Sequence, residues 1–406
     1  MRMKTICLFF CLLLATYTSI KAQDSTAMLC ATPPMGWNSW NLFEEKVSDS
    51  LLHEIADAMV TNGMKDAGYK YIIIDDLWTG GRDNKNRLIA DPVRFPNGMK
   101  AVADYVHSKG LKLGIYSDAA PLTCGGVTGS YGFEELDAKT FASWGIDYLK
   151  YDYCNAPEDV TTAFARYKKM GDALKATGRP IVYAICEWGQ RKPWLWASAA
   201  GGQLWRTTWD LRDTWQSNNK NLTGIMEVFD QQEGLTQYAG PGSWNDPDLL
   251  MVGLYGKGSS SNAGTNGKGC TPAEYKSHFA LWCMLAAPLI VNSDLRHLSA
   301  ETLQLLTNKD LIAVNQDSLG KQAETIYKKE DIQVLKKELA NGDVAICILN
   351  RSNSPKSGLL SLQKDLDIWK PFTAAKEVFQ NKTVKKTDKL SYQLEAHACT
   401  VYRMMR

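Results

Sequence analysis

One phrase recurs along most of this chain. An apolar run ends in an acid or another polar residue, and an amphipathic helical stretch usually follows. The runs are PPMGWNSWN (33–41), YKYIIIDD (69–76), LKLGIYSD (111–118), IDYLKYD (146–152), PIVYAICEW (180–188), QLWRTTWD (203–210), GSWNDPD (242–248) and LIVNSD (289–294). Between the first two, SDSLLHEIADAMVTNGMKDAGY sets Leu51, Leu52, Ile55, Met59 and Val60 at helical spacing, with Gly63 and Gly68 as stops. Strands apolar on both faces, alternating with helices, predict a parallel sheet covered by helices. Eight such units close best as a (β/α)₈ barrel, an α/β fold of about 250 residues or more. The rival, an open doubly wound sheet, should carry a Gly-rich phosphate turn after its first strand. PPMGWNSWN is not one. In a barrel every strand's C-terminal end opens on one mouth, where active sites sit.

After about residue 315 the pattern changes. IQVLKKELANGDVAICILNRS, GLLSLQKDL, FTAAKEVFQNKT and YQLEAHACTVYRM are short, partly alternating runs split by Gly, Asn, Asp and Pro. They predict an antiparallel β-sandwich. The N-terminus reads as an export signal: MRMK is basic, ICLFFCLLLA is apolar, and Ala22 offers a small residue at the cut. That run is too short for a permanent membrane span. Cys11 and Cys30 lack the small residues expected before a lipidated cysteine. The division expected is therefore a signal peptide at 1–22, a catalytic barrel at 23–318 and a sandwich at 319–406, in an exported protein, periplasmic or secreted.

The chain's 406 residues are 45% hydrophobic with a formal charge of +2, so nothing global calls for nucleic acid or an anionic membrane as partner. Removing the signal leaves eight of the ten cysteines, too few for a disulfide scaffold but compatible with a few bridges in an oxidising compartment. There is no CxxC pair and no HExxH, and the five histidines lie far apart, so neither a metal nor another cofactor is expected.

Chemistry concentrates at the strand ends. Lys150 and Asp152 are two residues apart on one strand and face the same way. The ammonium is expected to keep Asp152 ionised, able to attack or to stabilise a cation. Arg206, Thr208 and Asp210 share a parity in the sixth run, where the guanidinium can hold hydroxyls. Asp210 stands beside Trp209 and Trp215, and aromatic surroundings raise a carboxyl's pKa and make it a proton donor. Asp75 and Asp76 could bind a metal or accept hydrogen bonds from sugar hydroxyls, and with no other ligands assembled in the sequence the hydroxyl reading is preferred. One ionised and one protonated carboxyl among Trp and polar residues equip a retaining glycosidase. The deciding quantity is their separation, roughly 5–5.5 Å for retention against about 6.5–9.5 Å for inversion, which a sequence does not measure.

The chain resembles the glycoside hydrolase family 27 α-galactosidases. The likeness rests on PPMGWNSWN, IIIDDLW, LKLGIYSDAA, DYLKYDYCN, AICEWG, LWRTTWD, PGSWNDPDLL and LWCMLAAPLIVNSD, in order and at suitable spacing. It implies a (β/α)₈ barrel followed by an antiparallel sandwich, acting by double displacement on terminal α-galactose of oligo- or polysaccharides. By this resemblance Asp152 is the nucleophile and Asp210 the acid/base. Trp37 forms an apolar wall, Asp75 and Asp76 bind O4 and O6, Lys150 reaches O3 and O4, and Arg206 the O2/O3 side. Tyr116 and Cys124 line the pocket, Cys186 and Trp188 stand near O2, and Asp248 lies at the floor. The resemblance also implies a Cys124–Cys154 disulfide.

This chain departs from the family pattern at Leu77, where Cys is common, at the cysteine-free LFEEKVS, at SDAAPLTC and at Leu249. Relatives take other sugars. Glu187 and Trp188 argue against room for the acetamido group that an α-N-acetylgalactosaminidase accepts. The short Asp76 favours galactose over the substrate of a β-L-arabinopyranosidase. An inactive galactose-binding protein would be expected to lose Asp152 or Asp210, and both are present.

Overall fold

The computed structural model describes residues 28–217, 223–258, 268–369, 371–385 and 387–406. The expected signal peptide lies outside them. Eight parallel strands form the first domain: β1 (Met35–Asn38), β2 (Tyr71–Ile73), β3 (Lys112–Asp118), β4 (Tyr148–Asp152), β5 (Val182–Ile185), β6 (Leu204–Arg206), β7 (Trp244–Asp246) and β8 (Leu289–Val291). They pair in chain order, and β8 returns to β1 with Met35 opposite Leu289. The last seam closes just past β7, where Leu250 bridges Val291 in parallel and its N–H donates to the Ile290 carbonyl at 2.8 Å. The result is a (β/α)₈ barrel. Most of these strands are only three to five residues long, and β1, β2, β5, β6 and β8 are buried throughout, so their apolar residues serve both barrel interior and helix layer.

The helices begin and end on the signals in the sequence. The first long one, α1 (Asp49–Thr61), starts on Ser48, whose hydroxyl accepts from Leu51 N–H, and buries Leu51, Leu52, Ile55 and Met59. Outer-layer helices α2 (Gly98–Ser108), α3 (Glu134–Trp144) and α4 (Val160–Ala176) follow β2, β3 and β4. Helix α5 (Pro272–Met284) opens on a capping box between Thr271 and Glu274 with Pro272 at its first position. At Gly36 the barrel admits no side chain, since a Cβ would stand 2.4 Å from the Tyr71 carbonyl oxygen. Among the described residues no helix is long and apolar enough to cross a membrane.

The second domain is antiparallel. Strands β9 (Glu324–Lys329), β10 (Ile332–Glu338), β11 (Val344–Asn350), β12 (Lys356–Ser361), β13 (Ala374–Glu377), β14 (Lys382–Lys385), β15 (Lys389–Leu394) and β16 (Cys399–Met405) follow one another. Six make one sheet in the order β9-β10-β11-β16-β13-β14, and the β12–β15 pair covers one of its faces. The strand period divides the sheet's side chains cleanly. Val334, Ile346, Ile348 and Met404 turn towards the cover with Leu360 and Leu390. Leu335, Cys347, Leu349 and Val401 turn the other way and join the barrel's own core.

Helix α5 lies between the two domains and is buried on every side from Ser277 to Met284. Trp215 also belongs here: its ring stacks on His397 of the sandwich at 4.9 Å and 16°. The expectation that Trp215 flanks Asp210 is thereby corrected. The indole is used in joining the domains.

Candidate active site

The mouth is built from strand ends. Register sets Tyr116 on β3 beside Lys150 on β4, and Asp118 beside Asp152. Just past β2, Asp75 is buried and accepts from Asn38 Nδ2 at 2.7 Å and from Lys150 Nζ at 2.8 Å. Its backbone N–H donates to Ser39 Oγ. Asp76 is held by two backbone donors, Gly125 N–H at 2.7 Å and Leu77 N–H at 2.6 Å. Asp152 accepts from Tyr116 Oη at 3.1 Å and from its neighbour's Tyr153 N–H at 3.1 Å. Trp37 is fully buried on β1, with its indole N–H on the Ser293 carbonyl.

On the opposite side the guanidinium of Arg206 is the hub. It stands 3.1 Å from an oxygen of Asp210 and 3.1 Å from an oxygen of Asp248, and its Nη1 approaches Cys186 Sγ at 3.8 Å. Asp248 is fixed in turn by Leu211 N–H and held at φ +87. Trp188, half-buried at φ +58, stacks on Trp209. Strand β6 stops at Arg206, so Thr208 and Asp210 are on the following loop rather than sharing a strand parity with it. Arg206 still collects them, through the Thr208 carbonyl and the Asp210 carboxylate.

Electrostatics correct two expectations. Lys150 pairs with Asp75, not Asp152. Burial pushes the Asp152 carboxyl up to about 6, and although Lys150 opposes this, the charges of Asp210 and Asp75 add to it. Asp210, the group expected to be raised, goes the other way. Its side chain is 48% exposed. Desolvation works upward there too, but Arg206, then Lys150 and Arg212, outweigh it and hold the carboxyl below its ordinary value. The cause is position: a cation contacts Asp210, whereas Asp152 sits dry among other acids. Asp248 is likewise raised to about 6, chiefly by burial.

The loops after β3 and β4 are tied by a Cys124–Cys154 disulfide. Tyr116 Oη contacts Cys124 Sγ at 3.2 Å, and Gly125, next in the chain, supplies a donor to Asp76. Leu77, at the position where Cys is common in relatives, packs so closely on Gly125 that a Cβ there would stand 2.4 Å from it. The Cys124→Ser/Cys154→Ser variant is expected to lose about 2–5 kcal/mol of stability in a denaturant titration. Its kcat/KM should fall as well, because Asp76 loses a fixed donor.

Residues that sequence reasoning left unassigned also serve the site. Asp118, fully buried, accepts from Ala120 N–H and Cys154 N–H and is pushed up to about 8 by burial and then by Asp152. Its signal was its place at the end of LKLGIYSD. Asn38, inside PPMGWNSWN, orients Asp75. Asp118, Cys124, Asp152 and Cys154 offer ligand atoms within 4.8 Å of one another, but the disulfide removes both thiolates.

The family profile for alpha galactosidase A matches residues 32–317, and that for the alpha galactosidase C-terminal beta sandwich domain matches residues 329–404. The chain belongs to the glycoside hydrolase family 27 α-galactosidases. Within that family, Alpha-galactosidase A of Cellvibrio japonicus is 46% identical over 344 residues, covering 84% of this chain and 81% of that protein. Alpha-galactosidase 2 of Arabidopsis thaliana is 44% identical over 382 residues, covering 93% and 90%. The crystal structure of α-galactosidase I from Mortierella vinacea superposes with a TM-score of 0.85 at 34% identity, covering 93% of this chain and 98% of that one. The family's two-domain arrangement is the one described above.

Proposed function

We propose that the protein is a retaining exo-α-galactosidase that releases terminal α-D-galactose, with Asp152 as nucleophile and Asp210 as acid/base. The observation that carries this is the pairing of a buried carboxyl at the end of β4 with an exposed one on the β6 loop, each embedded in fixed donors. The buried carboxyl attacks the anomeric carbon from within the pocket. The exposed one faces outward, where a leaving group must depart, protonates its oxygen and then activates water. Asp75, Asp76 and Lys150 form a charged, pre-paired wall for the galactose hydroxyls, and Arg206 with Cys186 and Trp188 covers the O2 side. Tyr116, Cys124 and Asp248 complete the pocket, and Trp37, fully buried against Phe43 with its indole N–H on the Ser293 carbonyl, backs its wall from within the core instead of lining it. Glu187 and Trp188 occupy space an acetamido group would need, and the short Asp76 leaves room for a C6 hydroxymethyl.

The deciding experiment compares p-nitrophenyl α-D-galactoside with the β-L-arabinopyranoside and the α-N-acetylgalactosaminide, with NMR of the first-formed sugar. Release of α-galactose from the first alone is expected. First-formed β-galactose would overturn double displacement, and preference for another glycoside would overturn the reading of Asp76 or Glu187. We also assign the protein to an exported pool, periplasmic or secreted, from the basic and apolar N-terminal run and the disulfide beside the site.

The pH profile follows from the two carboxyls. Reaction needs one proton on the pair, with Asp152 ionised and Asp210 protonated. With Asp152 raised to about 6 and Asp210 lowered, that shared proton is lost as pH rises through about 6. On an unactivated galactoside, kcat/KM should therefore peak at mildly acidic pH. It should fall about tenfold per unit above the alkaline limb. A plateau extending to pH 8 would refute this assignment.

A further inference from the structure

Trp209 directly precedes Asp210, and the family comparison gives it no role. It is 53% exposed, a costly placement for an indole. One face stacks on Trp188, with ring centroids 5.4 Å apart and planes 15° from parallel. The pair is built rather than incidental. Trp188 is held in the left-handed region at φ +58, a conformation unusual for a bulky residue and one that surrounding structure must enforce. Gly189, which follows it, presses on the β6 loop so tightly that a Cβ would lie 2.1 Å from the Thr207 carbonyl oxygen. Glu187, which precedes it, is pinned by Arg191, whose guanidinium also lies 4.8 Å over the Tyr153 ring and bonds the Glu158 carbonyl through Nε. Two loops are thus locked so that the indoles lie flat against each other.

We propose that Trp209, held flat against Trp188, is a platform for the leaving-group sugar, a subsite that favours galactosides whose aglycone is itself a pyranose. The reading rests on Asp210 as the acid. A group that protonates the departing oxygen stands on the aglycone side of the scissile bond, and Trp209 is its chain neighbour. A pyranose carries an apolar face of ring C–H groups that packs on an indole, while its hydroxyl edge stays in water. An exposed tryptophan suits such a ligand, which is half apolar and half wet.

The test compares kcat/KM on α-galactosyl-(1→6)-glucose with that on α-galactosyl fluoride, whose leaving group has no ring. Wild type, Trp209→Ala and Trp209→Phe are measured, with thermal melting to verify folding. Trp209→Ala should lower the disaccharide-to-fluoride ratio about tenfold, and Trp209→Phe should recover most of it. Equal losses on both substrates would mean that Trp209 only supports Trp188 against the galactose ring, and would overturn the subsite. An unchanged ratio with unchanged rates would overturn it too. A wild-type protein that cleaves neither substrate would overturn the galactosidase reading itself, a failure distinct from either.

Discussion

Replacing Asp152 by Asn is expected to reduce kcat on any α-galactoside on the order of 10⁴-fold or more, with the melting temperature changed little. The amide keeps the volume of the carboxylate; its oxygen can still accept from Tyr153 N–H, and its NH2 can donate to Tyr116 Oη, which is itself able to accept. What it lacks is the charge that attacks the anomeric carbon and holds the covalent galactosyl intermediate. A nucleophile leaves a further signature. In Asp152→Gly the space opened on that face should admit azide, which would attack directly and give β-galactosyl azide with inverted stereochemistry. If Asp152→Asn retained a tenth of wild-type kcat, or if azide gave only the α-product, another residue would have to be the nucleophile.

The second large effect is at Asp210, and it should depend on the leaving group. Asp210→Asn removes the proton donor, so a disaccharide with a poor leaving group should lose about 10²–10⁴-fold in kcat/KM. An activated aryl or fluoride leaving group needs little protonation and should lose far less in that step. The second half-reaction, which needs Asp210 as base, then becomes slow, and a burst of leaving group ahead of steady state should appear. Azide added to Asp210→Gly should relieve that step and give α-galactosyl azide. Losses independent of leaving group would place the acid elsewhere. Because Arg206 contacts both Asp210 and Asp248, the Asn variant also frees the guanidinium to settle on Asp248, so KM is expected to move along with kcat.

The barrel was legible because its code is local. Each strand is a short apolar run, each helix has a cap or a glycine stop, and their alternation admits few topologies. The placement of Lys150 and Asp152 on one face followed from the same two-residue period. The choice of partner did not. Lys150 reaches Asp75, just past β2 and 75 residues earlier in the chain, and no spacing rule encodes that distance. Parity reasoning likewise placed Asp210 on a strand that ends four residues before it. Trp215 is close to Asp210 in sequence yet stacks on His397. The order of the two carboxyl affinities was also misread. Sequence neighbours suggested a charged Asp152 and a neutral Asp210, whereas burial and Arg206 decide it, and both depend on packing around the closed ring.

Helix α5 gives the tail its meaning. A helix buried all round from Ser277 to Met284 has no side there that tolerates water, and the sandwich contributes Leu335, Cys347, Leu349 and Val401 to the same continuous interior. The two halves that sequence separates so readily are therefore one thermodynamic body. Heating should melt them in a single calorimetric transition, and a chain cut near residue 320 should not survive as a free barrel. A partner domain grafted in place of the sandwich would have to supply an apolar wall before it could supply anything else.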